Sequence, residues 1–126
     1  MRELYELFVT AGFSAAHHLC GYGEPCENVH GHNWKVVVYV HCSDLDALGL
    51  GIDFKVLRGH LRDVLKGLDH RDLNATPPFD KLNPSAENLA KWVFERMREK
   101  LGPTNAVPVR VTVTENDDSG ATFIPQ

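Results

Sequence analysis

The chain is organised around residues 25–42, whose sequence is PCENVHGHNWKVVVYVHC. The part from His30 to Cys42 is rich in β-branched and aromatic residues, which predicts a long strand. Side chains two residues apart in a strand point to the same face. We therefore expect His30 and His32 to lie side by side, on the face that also carries Trp34. Two imidazoles placed in this way can both reach one metal ion.

A third histidine, His17, precedes this stretch. Residues 5–16 predict a first strand, in which Gly12 is expected to mark a bulge, and His17 follows directly. A connection with several glycines, residues 18–29, joins the two strands. Long connections inside a compact domain are usually functional. The ends of two neighbouring strands and the loop between them are therefore where we expect the chemistry of this protein.

The three histidines predict a zinc site. Neutral imidazoles suit zinc, and a site with three protein ligands keeps a fourth position open for water or substrate. His17, His30 and His32 are the expected ligands, and Cys26 and Glu27 lie close by in the sequence. An alternative is that Cys26 is a fourth ligand and the site is structural, although structural zinc sites usually use several cysteines in short paired spacings.

The composition describes a single domain, residues 1–126, with 43% hydrophobic residues and a formal net charge of −4. This charge and the absence of a basic cluster in the sequence argue against nucleic acid as the main partner. No apolar run in the sequence is long enough to span a membrane. The three cysteines are an odd number, and we expect a protein of the reducing cytoplasm.

The remaining elements complete an α+β pattern. Residues 53–68 predict an amphipathic helix with Asp53 at its N-cap, and a second helix is expected to begin with Asn83 as N-cap and to end at Gly102. Two strands follow, at residues 107–114 and 121–124. The order strand-strand-helix-helix-strand-strand predicts a four-stranded antiparallel sheet with two helices on one face. Because the second strand is apolar on both faces, we expect oligomerisation to cover the other one.

Three further polar positions have open interpretations. Asp69 and His70 follow the first helix, where they can cap it and bond to a loop, or form an acid–base pair. Glu115 continues the apolar row of the strand at residues 107–114 and needs a partner there, either an arginine, solvent or a ligand with two donors. His41 lies on the opposite face of its strand from His32 and is expected to be structural or to face solvent.

At this point the chain resembles the 6-pyruvoyltetrahydropterin synthase and 6-carboxytetrahydropterin synthase family. Each motif alone is weak, but the resemblance extends over nearly the whole chain and the motifs occur in the family's order. They are Phe13-Ser14-Ala15-Ala16-His17, Cys26 ahead of His30-Gly31-His32, Asp53-Phe54, Leu68-Asp69-His70 with Leu73-Asn74, Pro84-Ser85-Ala86-Glu87-Asn88 and Thr114-Glu115.

The resemblance implies a fold and an assembly. The fold is the tunnelling fold, in which trimers close their strands into a barrel and two trimers stack as a hexamer. The active sites of such an assembly lie between subunits. An assembly of this kind would also cover the apolar strand faces that the sequence pattern leaves exposed.

The resemblance also implies roles for single residues. His17, His30 and His32 would hold zinc, and Cys26 would abstract or return the proton. Asp69 and His70 would complete a proton relay from a neighbouring subunit. Glu115 would anchor the pterin ring, with Ser85 as a further substrate contact. The implied reaction converts 7,8-dihydroneopterin triphosphate into 6-carboxy-5,6,7,8-tetrahydropterin, triphosphate and acetaldehyde, on the queuosine (7-deazaguanine) route.

Two departures from the family pattern bear on the product. Ser85 stands where the family usually has threonine, a change that keeps the hydroxyl. Glu27 directly follows Cys26, whereas one branch of the family has glutamate in place of the cysteine and makes 6-hydroxymethyl-7,8-dihydropterin for folate synthesis. The pair resembles a dual-function subgroup, unless Glu27 is only a loop residue. The alternatives are therefore the folate-route product, 6-pyruvoyltetrahydropterin, or a non-catalytic module that binds pterin or metal.

Overall fold

The computed structural model describes residues 3–21 and 28–126, so Cys26 and Glu27 lie outside the described residues. Within them the predicted order of long strands and helices is confirmed. The elements are β1 (Tyr5–His17), β2 (His30–Cys42), α1 (Phe54–Leu65), β3 (Arg71–Asp72), a 3-10 turn (Leu73–Ala75), α2 (Ala86–Leu101), β4 (Val107–Asn116) and β5 (Ser119–Phe123).

The sheet has the strand order β3-β1-β2-β4-β5. The four long strands pair antiparallel, as predicted. The structure adds the short strand β3, which runs parallel to β1 at Ala15 and Ala16 and makes the sheet mixed. The two-residue strand has no periodicity that sequence analysis can detect, which explains why it was not predicted. The sheet of one chain is open, with the first part of β1 and β5 along its edges.

The ladder between β1 and β2 fixes the position of the histidines. Its register is continuous from Tyr5 opposite Cys42 to His17 opposite His30. The bulge predicted at Gly12 is therefore wrong. The glycine is needed for another reason, because a Cβ at Gly12 would lie 2.9 Å from the carbonyl oxygen of Trp34. Since the register has no slip, His17 and His30 face each other across the end of the ladder.

Both helices pack on one face of the sheet and form the core with it. The core includes Trp34, Val36 and Val38 of β2 together with Leu61 of α1 and Val93 of α2, each at most 1% exposed. The row on β2 continues toward His32 and His30, which are half-buried and exposed respectively. The face that carries the histidines is thus the core face, and it opens to the surface at this end of the strand.

The helix ends agree only in part with the prediction. Asp53 caps α1 as predicted, and its side chain accepts a hydrogen bond from the N–H of Lys55. The N-cap of α2 is Ser85, not the predicted Asn83, because the hydroxyl of Ser85 accepts from the N–H of Asn88. No helix among the described residues has the length and apolar character to cross a bilayer.

Candidate metal centre

Three histidines from two neighbouring strands converge at the open end of the core. One ligand nitrogen from each of His17, His30 and His32 lies within 4.8 Å of the others. The ring centroids are 4.6 Å apart for His17 and His30, 5.2 Å for His17 and His32, and 4.8 Å for His30 and His32. The three rings stand edge to face, at interplanar angles of 70° to 86°. The cluster that sequence analysis predicted is therefore formed.

The hydrogen bonds of the rings fix which nitrogen is available. His17 Nδ1 donates to the carbonyl oxygen of Pro84 at 2.7 Å, and His30 Nδ1 donates to that of Asn28 at 2.9 Å. A ring that donates through Nδ1 in its neutral form has its lone pair on Nε2. His17 Nε2 and His32 Nε2 are buried and have no hydrogen-bond partner among the described residues. Buried nitrogens without a partner are rare, and a bound ion is one explanation for them.

The protonation state of His17 favours a metal as well. Burial lowers the pKa of the His17 imidazole below its ordinary value, and the hydrogen bond to Pro84 only partly opposes this effect. The neutral imidazole is the form that binds metal. A backbone carbonyl on the second ring nitrogen is the usual outer partner of a metal-bound histidine. The residues present therefore fit a metal ion held by His17, His30 and His32.

Glu115 lies at the edge of this cluster. Its Oε2 is 3.4 Å from His32 Nε2, a close contact that is not a hydrogen bond. Of the partners considered from the sequence, no arginine contacts Glu115 among the described residues, and its neighbour there is a histidine. The carboxylate remains 29% exposed. It can accept hydrogen bonds from a ligand that enters beside the histidines.

Asp69 and His70 lie along the outer edge of β1. Asp69 Oδ1 accepts from the N–H of Ser14 at 2.9 Å and is 2.9 Å from His70 Nδ1. The bond from Ser14 is the main cause that lowers the pKa of the Asp69 carboxyl. His70 has a left-handed backbone (φ 57°) and an exposed ring, and it does not cap α1, whose C-cap is Lys66. Within the described residues no contact joins this pair to the three histidines.

Two contacts of the site were missed by sequence analysis, although it placed Trp34 on the face of the histidines. The ring of Trp34 stands edge to face against His17 and His32, at 4.8 and 5.2 Å. The carbonyl of Pro84 orients His17, although only a helix start was predicted at that position. A tryptophan two residues after the second histidine was visible in the sequence. The carbonyl contact was not, because main-chain partners leave no side-chain signal.

The sequence is similar to those of known pterin enzymes. Residues 6–126 match the family described as 6-pyruvoyl tetrahydropterin synthase. A 6-carboxy-5,6,7,8-tetrahydropterin synthase from Synechocystis sp. is 32% identical over 117 residues, 88% of this chain and 89% of that protein. A dihydroneopterin monophosphate aldolase from Pyrococcus furiosus is 34% identical over 110 residues, 87% and 89% of the two chains.

A solved structure supports the fold. The 6-pyruvoyl tetrahydropterin synthase of Caenorhabditis elegans superposes with a TM-score of 0.83, at 24% identity, over 100% of this chain and 99% of that one. At this identity the likeness establishes the fold and nothing finer.

Fold and site together define an α+β protein of the tunnelling fold with a three-histidine cluster that can hold a metal ion. The chain belongs to the 6-pyruvoyl tetrahydropterin synthase family. Relatives such as the one from Synechocystis sp. are named tetrahydropterin synthases, which are lyases, and the predicted enzyme class is confirmed.

Proposed function

We propose that the chain is a zinc-dependent synthase that converts 7,8-dihydroneopterin triphosphate into 6-carboxy-5,6,7,8-tetrahydropterin, triphosphate and acetaldehyde, on the route to queuosine and other 7-deazaguanines. The observation that carries the proposal is the histidine cluster, in which two buried Nε2 atoms lack a partner among the described residues. The relative from Synechocystis sp. bears the name of this activity and covers 88% of the chain.

His17, His30 and His32 would hold the zinc ion. When bound, zinc supplies Lewis-acid chemistry, which makes loss of a carbon-bound proton easier next to a coordinated oxygen. The lowered pKa of His17 keeps its imidazole neutral for this role. The open end of the cluster, where His30 is exposed, gives the substrate side chain access.

Glu115 would anchor the pterin ring. A carboxylate accepts two parallel hydrogen bonds, and the amino group and ring N–H of a pterin offer two parallel donors. One nitrogen cannot serve a metal ion and Glu115 at once. Metal binding at His32 Nε2 would therefore end the 3.4 Å contact and leave the Glu115 carboxylate for the pterin.

Proton transfer would fall to Cys26, with Asp69 and His70 as a relay from a neighbouring subunit. Asp69 is held by the N–H of Ser14 and pairs with His70 Nδ1, so a neutral His70 presents Nε2 to its surroundings. The His70 side chain is 80% exposed in the single chain, which leaves it free to face a second chain. Ser85 remains a proposed substrate contact, although its hydroxyl accepts the capping hydrogen bond of α2.

The active assembly we propose is a hexamer, made of two trimers whose strands form a barrel. Among the described residues, no strand pairs with the outer edge along most of β1, because β3 reaches only Ala15 and Ala16. Large apolar side chains are exposed on or beside the edge strands, among them Leu4, Phe8 and Ile124. Exposed edges and apolar patches of this kind are usually covered by another chain. The native mass measured by light scattering tests this, and an active monomer would contradict it.

Product analysis tests the proposed activity. Zinc-loaded protein is incubated with 7,8-dihydroneopterin triphosphate, and the products are separated by chromatography. We expect 6-carboxy-5,6,7,8-tetrahydropterin together with acetaldehyde. A 6-hydroxymethyl or 6-pyruvoyl product would replace this activity with one of the alternatives, and bound but unchanged substrate would indicate a non-catalytic pterin-binding protein.

A second function, formation of 6-hydroxymethyl-7,8-dihydropterin for folate synthesis, is favoured by two observations. The relative from Pyrococcus furiosus is named an aldolase of dihydroneopterin monophosphate. Glu27 offers a carboxylate base directly after Cys26. If both bases act, Cys26→Ala abolishes the carboxy-pterin product and leaves some 6-hydroxymethyl product, and Glu27→Ala does the reverse. If Glu27→Ala changes no product while Cys26→Ala removes all of them, Glu27 is a loop residue only.

A further inference from the structure

Two asparagine side chains form strand-like hydrogen bonds with the backbone of the residues that directly follow β1. The amide of Asn74 accepts from the N–H of His18 at 2.9 Å and donates to its carbonyl at 3.0 Å. The amide of Asn83 does the same for Cys20, at 3.1 and 2.6 Å. Each amide offers one acceptor and one donor to a single residue, as a neighbouring strand would. The hydrogen bonds that β3 makes along the outer edge of β1 are thus continued past His17 by the side chains of Asn74 and Asn83.

The bonded positions follow the pleat of an extended chain. The N–H and carbonyl of Ser14 bond with Asp69 and His70. Further contacts then follow at every second residue, at Ala16 opposite Asp72, at His18 with Asn74 and at Cys20 with Asn83. His17 lies in the middle of this run. Its backbone is therefore fixed on both sides, and the two asparagine side chains contribute to the contacts beyond it.

Asn83 is connected to His17 by a second path. The next residue, Pro84, accepts the hydrogen bond from His17 Nδ1 at 2.7 Å. The carbonyl of Asn83 accepts from the side chain of Asn88 at 2.9 Å, in the first turn of α2. The dipeptide Asn83-Pro84 thus holds the ring of His17 through one carbonyl and the main chain at Cys20 through one amide. Both contacts are anchored to the helix.

We propose that Asn83 is a positioning residue of the metal centre, which keeps the Nε2 lone pair of His17 directed at His30 and His32. The physical reason is that a donor bond from Nδ1 sets both the tautomer and the orientation of a ligating imidazole. His17 is 1% exposed, so its ring has little room to choose another partner once this one is in place. The inference rests on the metal site of the proposed function, but not on the identity of the pterin product.

The first test measures metal affinity in the full chain. Asn83→Ala removes both bonds to Cys20, and we expect zinc to bind more weakly in competition with a chromophoric chelator, by at most the roughly 10–100-fold that follows loss of a direct outer partner of a metal ligand. Cobalt(II) in the same variant should show a changed d–d absorption spectrum. Asn105→Ala is the matched control, because Asn105 also donates from its side chain to a carbonyl, that of Asp44, away from the histidines. It should leave both readouts unchanged.

The second test needs no metal. Nitrogen-15 NMR of the metal-free protein reports which ring nitrogen carries the proton, and we expect His17 to be protonated on Nδ1 in the wild type and to lose this preference in Asn83→Ala. Wild-type protein with the proton on Nε2 of His17 would overturn the inference without any variant. Asn83→Asp, which keeps the acceptor for Cys20 and loses the donor, should fall between wild type and Asn83→Ala, and it replaces Asn83→Ala if that variant does not fold.

The outcomes separate this inference from the proposed function. If the folded Asn83 variants keep wild-type zinc affinity, cobalt spectrum and His17 tautomer, Asn83 only stabilises the fold and the inference fails. If the wild type binds zinc but leaves 7,8-dihydroneopterin triphosphate unchanged, the proposed function fails, and the effect of Asn83 on zinc affinity can still be measured.

Discussion

The two ends of the β1–β2 ladder carry the same residue types and differ in how well these are partnered. At one end, Glu6 bonds to His41 and to Arg110, each at 2.9 Å. The Arg110 guanidinium also lies 4.0 Å from the centre of the Tyr39 ring. At the other end, Glu115 approaches His32 only to 3.4 Å, and the Nε2 atoms of His17 and His32 lack hydrogen-bond partners among the described residues. A glutamate beside a histidine is therefore no sign of a site, whereas two buried nitrogens without a partner inside a cluster of three histidines fit one.

The faces explain the difference. His41 lies on the face of β2 opposite the core, where water and neighbouring side chains satisfy charged groups. His32 continues the row of Trp34 and Val36, which are at most 1% exposed. In such surroundings an unpaired polar atom is destabilising. The structure has such unpaired nitrogens at the end of the ladder that carries His17 and His32. The following predictions test whether a metal ion compensates for their cost.

The largest difference is expected between two single substitutions, one of a histidine at each end of the β1–β2 ladder. His17→Ala should weaken zinc binding by more than about a hundredfold, since even the outer partners of metal ligands contribute about 10–100-fold, and product formation should fall to background. His41→Ala should keep both. Zinc content by mass spectrometry and product chromatography give the comparison. Full activity in a metal-free sample, or in His17→Ala, would end the metal assignment.

Zinc should also stabilise the folded protein, and this effect should depend on the histidine cluster and not on the opposite end of the ladder. A ligand that binds the native state adds about 4 kcal/mol at a thousandfold excess over its dissociation constant. We expect the melting temperature of the wild type to rise with zinc concentration and to fall after treatment with a chelator. His32→Ala should show neither change, while the melting temperature of Glu6→Gln should respond to zinc and to the chelator as that of the wild type does. An equal response of His32→Ala to zinc would place the metal elsewhere.

The two glutamates should differ in substrate binding. Glu115→Gln keeps the shape of the side chain but loses the charge that accepts two donors. A hydrogen bond to a charged group contributes about 1.5–3 kcal/mol, so KM should rise about 10–100-fold, with zinc content unchanged. Glu6→Gln is the matched control and should leave KM as it is. A wild-type KM in Glu115→Gln would remove Glu115 from the pterin site.

Much of this site could be predicted because it depends on simple periodicity. The spacing of His30 and His32 places both rings on one face of any strand, and the structure confirms it. The strand from His30 to Cys42 has the predicted bounds because its ends coincide with changes in composition. The open interpretation of Glu115 could not be decided, since its partner His32 comes from a different strand and depends on the register.

The errors come from features that the pattern does not encode. Asn83 was assigned as the N-cap of α2, yet its amide bonds to Cys20, far away in the sequence, and Ser85 takes the cap. The alternation of valines predicted one continuous buried row in β4. The register shift opposite Tyr39 and Val40 breaks that row, and only its later valines are fully buried. Long-range hydrogen bonds and bulges are decided by the packed structure rather than by local sequence.

A smaller effect is expected from the glycine that brings the two strands close together. A Cβ at Gly12 would meet the Trp34 carbonyl at 2.9 Å, and backbone can move away only by disturbing the ladder. Gly12→Ala should therefore destabilise the protein by about 1–3 kcal/mol, the usual range for overpacking. Gly59 lies within α1, where an added methyl group would have open space around it, so Gly59→Ala should stabilise by up to about 1 kcal/mol. Urea denaturation of both variants checks the opposite signs.

The smallest effect belongs to the fully partnered end of the ladder and appears only in acid. The hydrogen bond from His41 is the main cause that lowers the pKa of the Glu6 carboxyl below 4.5, and Arg110 adds to it. A carboxyl whose pKa is lower in the folded state stabilises the protein above its unfolded pKa and loses that contribution as the pH falls through the folded pKa. Urea midpoints of wild type and Glu6→Gln should thus differ by a small amount at about pH 5, above the unfolded pKa of a glutamate, and converge as the pH falls below that pKa. The difference stays small because the pair is exposed and screened by water. A difference that persists undiminished as the pH falls through both the unfolded and the folded pKa would show that Glu6 acts through packing rather than charge.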